Sequence, residues 1–112
     1  MKKGDILLVR FPFTDLSSEK LRPALVLTPE NQEGDAILAF ITTQVTSELI
    51  DDVYISQDDK YFGQTGLKTN SLIKIHKITT LNKKILAGKI GELSSEKMRE
   101  VDKKLKSLLG FT

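Results

Sequence analysis

The chain has 112 residues, of which 39% are hydrophobic and none is cysteine, and its formal net charge at pH 7 is +2. This length predicts a single domain, and the absence of cysteine excludes disulfides, thiolate metal sites and cysteine nucleophiles. The charge permits a polyanionic partner but does not require one. No apolar run reads as a signal peptide or a membrane span, and the lack of cysteine fits a reducing compartment.

The first half of the chain is predicted to form β-strands. Residues 5–9 have the apolar run of a first strand, and residues 11–20 form a loop rich in turn formers. The second strand is predicted over residues 22–28, with Pro23 at its first position, where the missing N–H costs least. Residues 35–43 are nearly all apolar, so this third strand is expected to be buried on both faces.

The second half mixes short strands and turns. Residues 53–55 are predicted to form a short strand, and residues 62–67 form a loop marked by glycines. Alternation over residues 71–78 places Ile73 and Ile75 on one face of a strand and Lys74 and His76 on the other. Residues 83–87 are predicted to form one helical turn, and residues 89–93 a closing strand.

The last segment has the clearest helical pattern. Ser94 is a suitable N-cap, Gly110 suits the C-terminal stop, and one apolar stripe runs along the helix through Met98, Val101, Leu105 and Leu108. The predicted fold class is therefore mainly β (α+β): a small, curled, mostly antiparallel sheet or barrel with a C-terminal α-helix, spanning residues 1–112 as one domain.

Two of the predicted strands are bordered by polar side chains that suit a phosphate. Arg22 has a planar guanidinium that matches phosphate oxygens, although a surface arginine paired with Glu19 or with the acidic loops is the alternative. Thr42, Thr43 and Gln44 follow the third strand and can donate to a phosphate oxygen or a base edge. Because threonine is common in strands, the alternative is that Thr42 and Thr43 are ordinary strand residues.

The sequence supports the other candidate site residues less strongly. His76 is the only histidine, which excludes a paired-imidazole mechanism within one chain. The neighbouring cation of Lys74 would favour the neutral, proton-accepting form of His76, whereas the alternative is a solvated histidine. Phe11 and Phe13 could stack on bases, or could pack their loop onto the barrel.

No metal or cofactor site is predicted. The aspartate pairs at positions 51–52 and 58–59 lack the spacing of a calcium loop. They are predicted to be solvated turn residues.

The ordered set of motifs resembles the MazF/PemK family of toxin endoribonucleases. The matching segments cover almost the whole chain: Lys3-Gly4-Asp5-Ile6, Arg22-Pro23-Ala24-Leu25-Val26-Leu27, Ile41-Thr42-Thr43-Gln44, Leu67-Lys68-Thr69-Asn70-Ser71-Leu72-Ile73, Ile78-Thr79-Thr80-Leu81 and Gly91-Glu92-Leu93-Ser94. The resemblance implies an SH3-like barrel, a homodimer, metal-independent cleavage of single-stranded RNA, and a small antitoxin whose tail occupies the same groove.

The resemblance also implies roles for particular residues. Arg22 and Thr42 match the positions that act at the scissile phosphate, where the RNA 2′-hydroxyl attacks to leave a 2′,3′-cyclic phosphate and a 5′-hydroxyl. Arg22 is expected to stabilise charge, because a guanidinium is a poor general base, and His76 is a third catalytic candidate. The residues expected to contact RNA are Phe11, Phe13, Lys20, Thr43, Gln44, Lys74 and Lys77.

Three departures distinguish this chain from the family that it resembles. Residues 11–21 contain no glycine, Lys74 and His76 stand where some relatives carry an arginine and an acidic residue, and Thr79 and Asn82 replace charged residues. A second hypothesis is therefore a non-catalytic module on the same barrel, which binds RNA or poisons gyrase. Gyrase poisons of this fold rely on a C-terminal tryptophan, and the chain has no tryptophan.

Overall fold

The computed structural model describes residues 1–12 and 19–111, and for residues 11, 12 and 19 it describes the backbone only. Its elements are β1 (Asp5–Pro12), β2 (Glu19–Val26), β3 (Asp35–Thr42), β4 (Val53–Ile55), β5 (Ser71–Asn82), β6 (Leu86–Glu92) and α1 (Ser95–Leu109). The strands form one curled antiparallel sheet in the order β4-β5-β3-β2-β1-β6. The predicted mainly-β fold with a C-terminal helix is confirmed.

Apolar side chains are buried on both faces of the middle of the sheet. One cluster contains Ile6, Leu25 and Ile73 together with Val101 of α1. A second cluster contains alternate residues of β1 and β2 together with two residues of β3: Leu7, Val9, Ala24, Val26, Ala36 and Leu38. The prediction that β3 is buried on both faces is wrong at Ile37, which is 37% exposed. The reason is that α1 packs on β4 and β5 and does not shield the sheet evenly.

Helix α1 follows its sequence signals closely. The hydroxyl of Ser94 accepts a hydrogen bond from the Lys97 N–H at 3.2 Å, and Gly110 ends the helix in the left-handed conformation at φ 82°. The stripe predicted to face the core does so, with Val101 fully buried. Lys97 also donates to the carbonyl of Tyr54 at 2.8 Å, which ties the helix to the short edge strand β4.

Strand β2 starts earlier than predicted, so Pro23 lies inside the strand and does not open it. The ladder with β1 continues as far as Pro12 and Glu19, whereas the ladder with β3 covers only the pairs from Ala24 to Val26. The first part of β2 therefore pairs on one side only, a position where proline is tolerated. This open edge carries Arg22.

Strand β5 is longer than predicted and contains a large irregularity. Ala39 of β3 pairs with Ile78, but the next residue, Phe40, pairs with Lys74, so residues 75–77 are left out of the ladder. Burial changes at the same place: Lys74 is 7% exposed, whereas His76 is exposed. Lys74 and His76, which were predicted to share a polar face, therefore differ in exposure.

Asn82, at the end of β5, is one of the residues that depart from the family pattern, and it makes several hydrogen bonds. The Asn82 amide donates to Asp35 Oδ1 at 2.9 Å and to the Glu33 carbonyl at 3.0 Å, and its oxygen accepts from the Lys84 N–H. The helical turn predicted for residues 83–87 is a shorter 3₁₀ turn, Lys83–Ile85, which leads into β6. Asn82 thus serves the fold, joining β5 to the start of β3.

Asp5 provides a pH-dependent test of the fold. Burial alone raises the pKa of this carboxyl group, but the hydrogen bond from the Lys2 N–H (2.8 Å) and the contact with Lys89 (3.2 Å) lower its pKa overall. A carboxylate with a depressed folded-state pKa stabilises the protein above its unfolded-state pKa, and this contribution is lost as the pH falls through the folded-state pKa.

We expect Asp5→Asn to lower the free energy of unfolding by about 1–2 kcal/mol at pH 7. The difference from wild type should shrink below about pH 4, where the unfolded carboxyl is protonated. Urea denaturation across this pH range measures it, with the exposed Asp58→Asn as the control. A deficit that stays constant down to acid pH would contradict the ionic explanation.

Candidate active site

A cavity of ≈ 430 Å³ opens where the free edge of β2 meets the end of β3 and the irregular part of β5. It collects side chains that are far apart in the sequence, and its lining is Arg22, Phe40, Ile41, Thr42, Gln44, Ser47, Lys74 and Lys77. Five of these were predicted as site residues, whereas Phe40, Ile41 and Ser47 were not. The apolar sequence of β3 predicted burial and did not indicate that Phe40 and Ile41 also line a cavity.

Arg22 and Thr42 reach this cavity from two different strands. Arg22 is exposed on β2 opposite Val9, at the edge that lacks a partner on the β3 side. Thr42 is the last residue of β3, and its hydroxyl oxygen accepts the Gln44 N–H at 3.1 Å. Because that bond uses a lone pair, the hydroxyl hydrogen can be donated to an anion in the cavity.

Lys74 lies on the wall of the cavity in a buried ion pair. Its ammonium group is 2.5 Å from Asp52 Oδ2, and Asp52 is 1% exposed. The same carboxylate oxygen accepts the Leu49 N–H at 2.7 Å. The prediction that Asp52 is a solvated turn residue is therefore wrong, because a lysine from β5 reaches beneath the turn and neutralises it.

His76 is not among the residues that line the cavity with Arg22 and Thr42. Its side chain is 47% exposed, its Nδ1 lies 3.3 Å from Asp51 Oδ2, and it does not line the cavity. Lys74, the cation predicted to lie beside His76, is itself paired with Asp52. A catalytic role for His76 stays a prediction.

The remaining predicted RNA contacts are not part of the described lining of the cavity. Thr43 and Lys20 are exposed and are not part of its lining. Phe11 lies in β1, but its side chain is outside the described part of the structure, as is the whole of Phe13. Their predicted roles in RNA binding stay predictions.

The cavity combines cations with an apolar surface. Arg22 and Lys77 supply positive charge, the charge of Lys74 is balanced by Asp52, and Phe40 and Ile41 supply apolar wall. A guanidinium beside a hydroxyl donor can hold a phosphate with charge-assisted hydrogen bonds. Across residues 1–12 and 19–111, no three His, Cys, Asp or Glu side chains are grouped as a metal site would require.

In the same part of the chain, no helix is both long and apolar enough to cross a membrane.

Solved structures share this fold from end to end. The MazE–MazF complex of Deinococcus radiodurans aligns with a TM-score of 0.80 at 19% identity, covering 100% of this chain and 97% of that chain. The Mycobacterium tuberculosis toxin MazF-mt6 aligns at 0.73 with 21% identity, covering 95% and 96% of the two chains. A mycobacterial endoribonuclease in complex with its cognate antitoxin aligns at 0.72 with 18% identity, covering 100% and 97%. The fold is therefore that of the MazF toxins.

The solved structures show the fold of the chain, and a match to a family model shows its family. The model for the PemK-like, MazF-like toxins of type II toxin–antitoxin systems matches residues 2–109. The chain belongs to this toxin family.

Proposed function

We propose that this toxin is an endoribonuclease that cleaves single-stranded RNA, mRNA in particular, without a metal ion and without the ribosome. The observation that carries the proposal is the meeting of Arg22 and Thr42, from separate strands, in one cavity that also contains Lys77. A fixed guanidinium and a hydroxyl donor are suited to a phosphate whose negative charge increases during reaction. The protein's own cations could then supply the electrostatic stabilisation.

The proposed reaction starts from the 2′-hydroxyl of the RNA. Its oxygen attacks the adjacent phosphorus as its proton passes to a base, the O2′–P bond forms, and the P–O5′ bond breaks as O5′ takes up a proton. The products are a 2′,3′-cyclic phosphate and a 5′-hydroxyl end. Arg22 and Thr42 stabilise the extra charge on the pentavalent phosphorus. His76 is the single imidazole that could act as the base.

The proposal includes protein partners. One relative of known structure is a MazE–MazF complex and another is bound to its cognate antitoxin. By analogy, we propose that this toxin forms a homodimer in the cytoplasm and is inhibited by a small antitoxin whose tail enters the same groove. An acidic or extended tail would compete with RNA for Arg22 and Lys77.

One observation favours the second candidate, a non-catalytic RNA-binding module on the same fold. His76 lies outside the cavity and Lys74 is neutralised, so the described lining contains anion-binding groups but no obvious base. Binding without cleavage would then be the activity.

Cleavage of a long unstructured RNA in EDTA tests the two candidates. The enzyme should cut at a short recurring motif and leave 5′-hydroxyl and 2′,3′-cyclic phosphate ends. A matched RNA with a single 2′-deoxy substitution at the cut nucleotide should resist cleavage there, because the nucleophile has been removed. RNA that stays intact but bound would support the binding module, and 5′-phosphate ends or a need for added Mg²⁺ would refute the proposed chemistry.

A further inference from the structure

Residues 44–52, which we call the groove wall, connect β3 to β4 and form one side of the cavity through Gln44 and Ser47. We propose that this wall is held in place from behind by two lysines, Lys74 and Lys104, with Asp52 as their common anchor, and that these positioning residues determine which RNA sites fit the cavity. The inference rests on the proposed ribonuclease function.

The groove wall contributes little apolar packing of its own. Leu49 is 51% exposed and Ile50 is 90% exposed, and the only regular structure is the 3₁₀ turn Val45–Ser47. Its own backbone bonds are local, such as the Asp52 N–H to the Leu49 carbonyl at 3.0 Å. Since these local bonds do not attach the segment to the sheet, its position depends on contacts from other elements.

The strongest of those contacts converge on Asp52. Its carboxylate is bound by Lys74 of β5, and its backbone carbonyl accepts from Lys104 of α1 at 2.8 Å. Lys104 also donates to the Ile50 carbonyl at 2.8 Å, and Lys74 is 3.5 Å from the Ser47 carbonyl. Two lysines from different elements thus fix both ends of residues 47–52.

Burial of the Asp52–Lys74 ion pair costs desolvation free energy, so the pair is an inefficient way to stabilise the fold. Asp52 Oδ1 is buried and has no hydrogen-bond partner within the described residues. A buried ion pair often stabilises no more than a well-packed apolar pair, and its best-attested advantage is to select one geometry. An ion pair with an unsatisfied oxygen beside the candidate active site therefore favours a role in positioning.

Lys74 and Lys77 accordingly have different functions, although both line the cavity from β5. Lys74 is 7% exposed and neutralised by Asp52, so it acts on RNA through the groove wall. Lys77 is exposed and has no ion-pair partner among the described side chains, so its ammonium group is available to a phosphate.

Lys104→Met provides the first test, because Lys104 does not line the cavity. We expect the Leu49 and Asp52 amides to exchange hydrogen at least about tenfold faster than in wild type, with sheet amides unchanged. Cleavage should continue but spread to sites outside the wild-type motif. The control is Lys103→Met, which removes the same charge from an exposed position on the same helix. Wild-type exchange and an unchanged cleavage pattern in Lys104→Met would overturn the proposal.

The second test separates positioning from phosphate contact. Binding of a non-cleavable 2′-O-methyl RNA is measured against salt for Lys77→Met and for the charge-balanced double variant Asp52→Asn/Lys74→Met. Lys77→Met should reduce the salt slope by about 0.7, the value for one phosphate contact on a single strand. The double variant should keep the wild-type slope, and an equal reduction there would show that Lys74 contacts phosphate itself and refute the assignment.

Failure of the proposed function would be recognised separately. If the wild type does not cleave RNA, the ribonuclease proposal fails, but hydrogen exchange at Leu49 and Asp52 needs no RNA and still decides whether Lys104 positions the groove wall. If the wild type cleaves RNA and Lys104→Met shows neither change, only the positioning proposal fails.

Discussion

Arg22→Ala is expected to lower kcat/KM for RNA cleavage by about 10²–10³-fold, the usual effect of removing one donor from a preorganised charge-stabilising site. Arg22 is an exposed residue of β2 and lines the same cavity as Thr42. Because it is exposed, its loss should change stability little, while the developing charge on the phosphate loses its main cation. Initial rates on a short RNA containing one cleavage motif measure the effect.

Two further variants make that result interpretable. Arg22→Lys keeps the charge but loses the planar fork of donors, so we expect an activity between those of Arg22→Ala and wild type. Arg99→Ala removes an exposed arginine of α1 and should cleave like wild type. The thermal midpoint of all three should match the wild type. A loss of less than about tenfold in Arg22→Ala, which is about 1.4 kcal/mol, would remove Arg22 from its proposed role.

Of the variants considered, Gly66→Ala is expected to lower the free energy of unfolding most, by at least about 3 kcal/mol. Alanine is strained in the left-handed conformation, and its Cβ would overpack against a neighbouring strand. Gly66 has φ +73°, and an added Cβ would lie 2.1 Å from the carbonyl oxygen of Ile90. That oxygen belongs to the backbone of β6, so it cannot move aside as a flexible side chain could. The 3₁₀ turn Phe62–Thr65, which ends at Gly66, and β6 would have to separate.

Gly63 offers a matched control within the same turn. An added Cβ there meets no atom within 4 Å, and its φ lies outside the left-handed region. Gly63→Ala should therefore change the free energy of unfolding by no more than about 0.5 kcal/mol. Urea denaturation of both variants measures the difference. Equal losses in the two would mean that chain entropy or the turn's composition matters, and not the close approach to Ile90.

Several features could be predicted from local sequence because their causes are local. The start of α1 follows from the Ser94 side chain, its end from Gly110, and its buried face from the spacing of residues around Val101. Strand interiors were predicted for the same reason, since apolar β-branched runs fit buried strands. Strand ends were not, because the ladder between β1 and β2 extends the second strand beyond Pro23.

In the candidate site, too, the chemistry of the side chains could be predicted from the sequence, whereas the burial of Asp52 could not. The chemistry of Arg22, Thr42 and Gln44 could be inferred from side-chain type and from motif order, and the structure brings them to one cavity. Burial of Asp52 could not, because its partner lies 22 residues further along the chain, on another strand. Nothing local distinguishes Asp52 from a solvated turn aspartate.

The sequence by itself determined the helix, the interiors of the strands, the family and the residue types that could bind a phosphate, because each depends on local pattern or on motif order. The tertiary structure alone decided which charges are neutralised and which face the cavity. Residues 75–77 are left out of the β3–β5 ladder, Lys74 is paired with Asp52, and His76 lies against Asp51. Ladder irregularities and ion pairs arise from contacts between distant segments, and such contacts exist only once the sheet has formed.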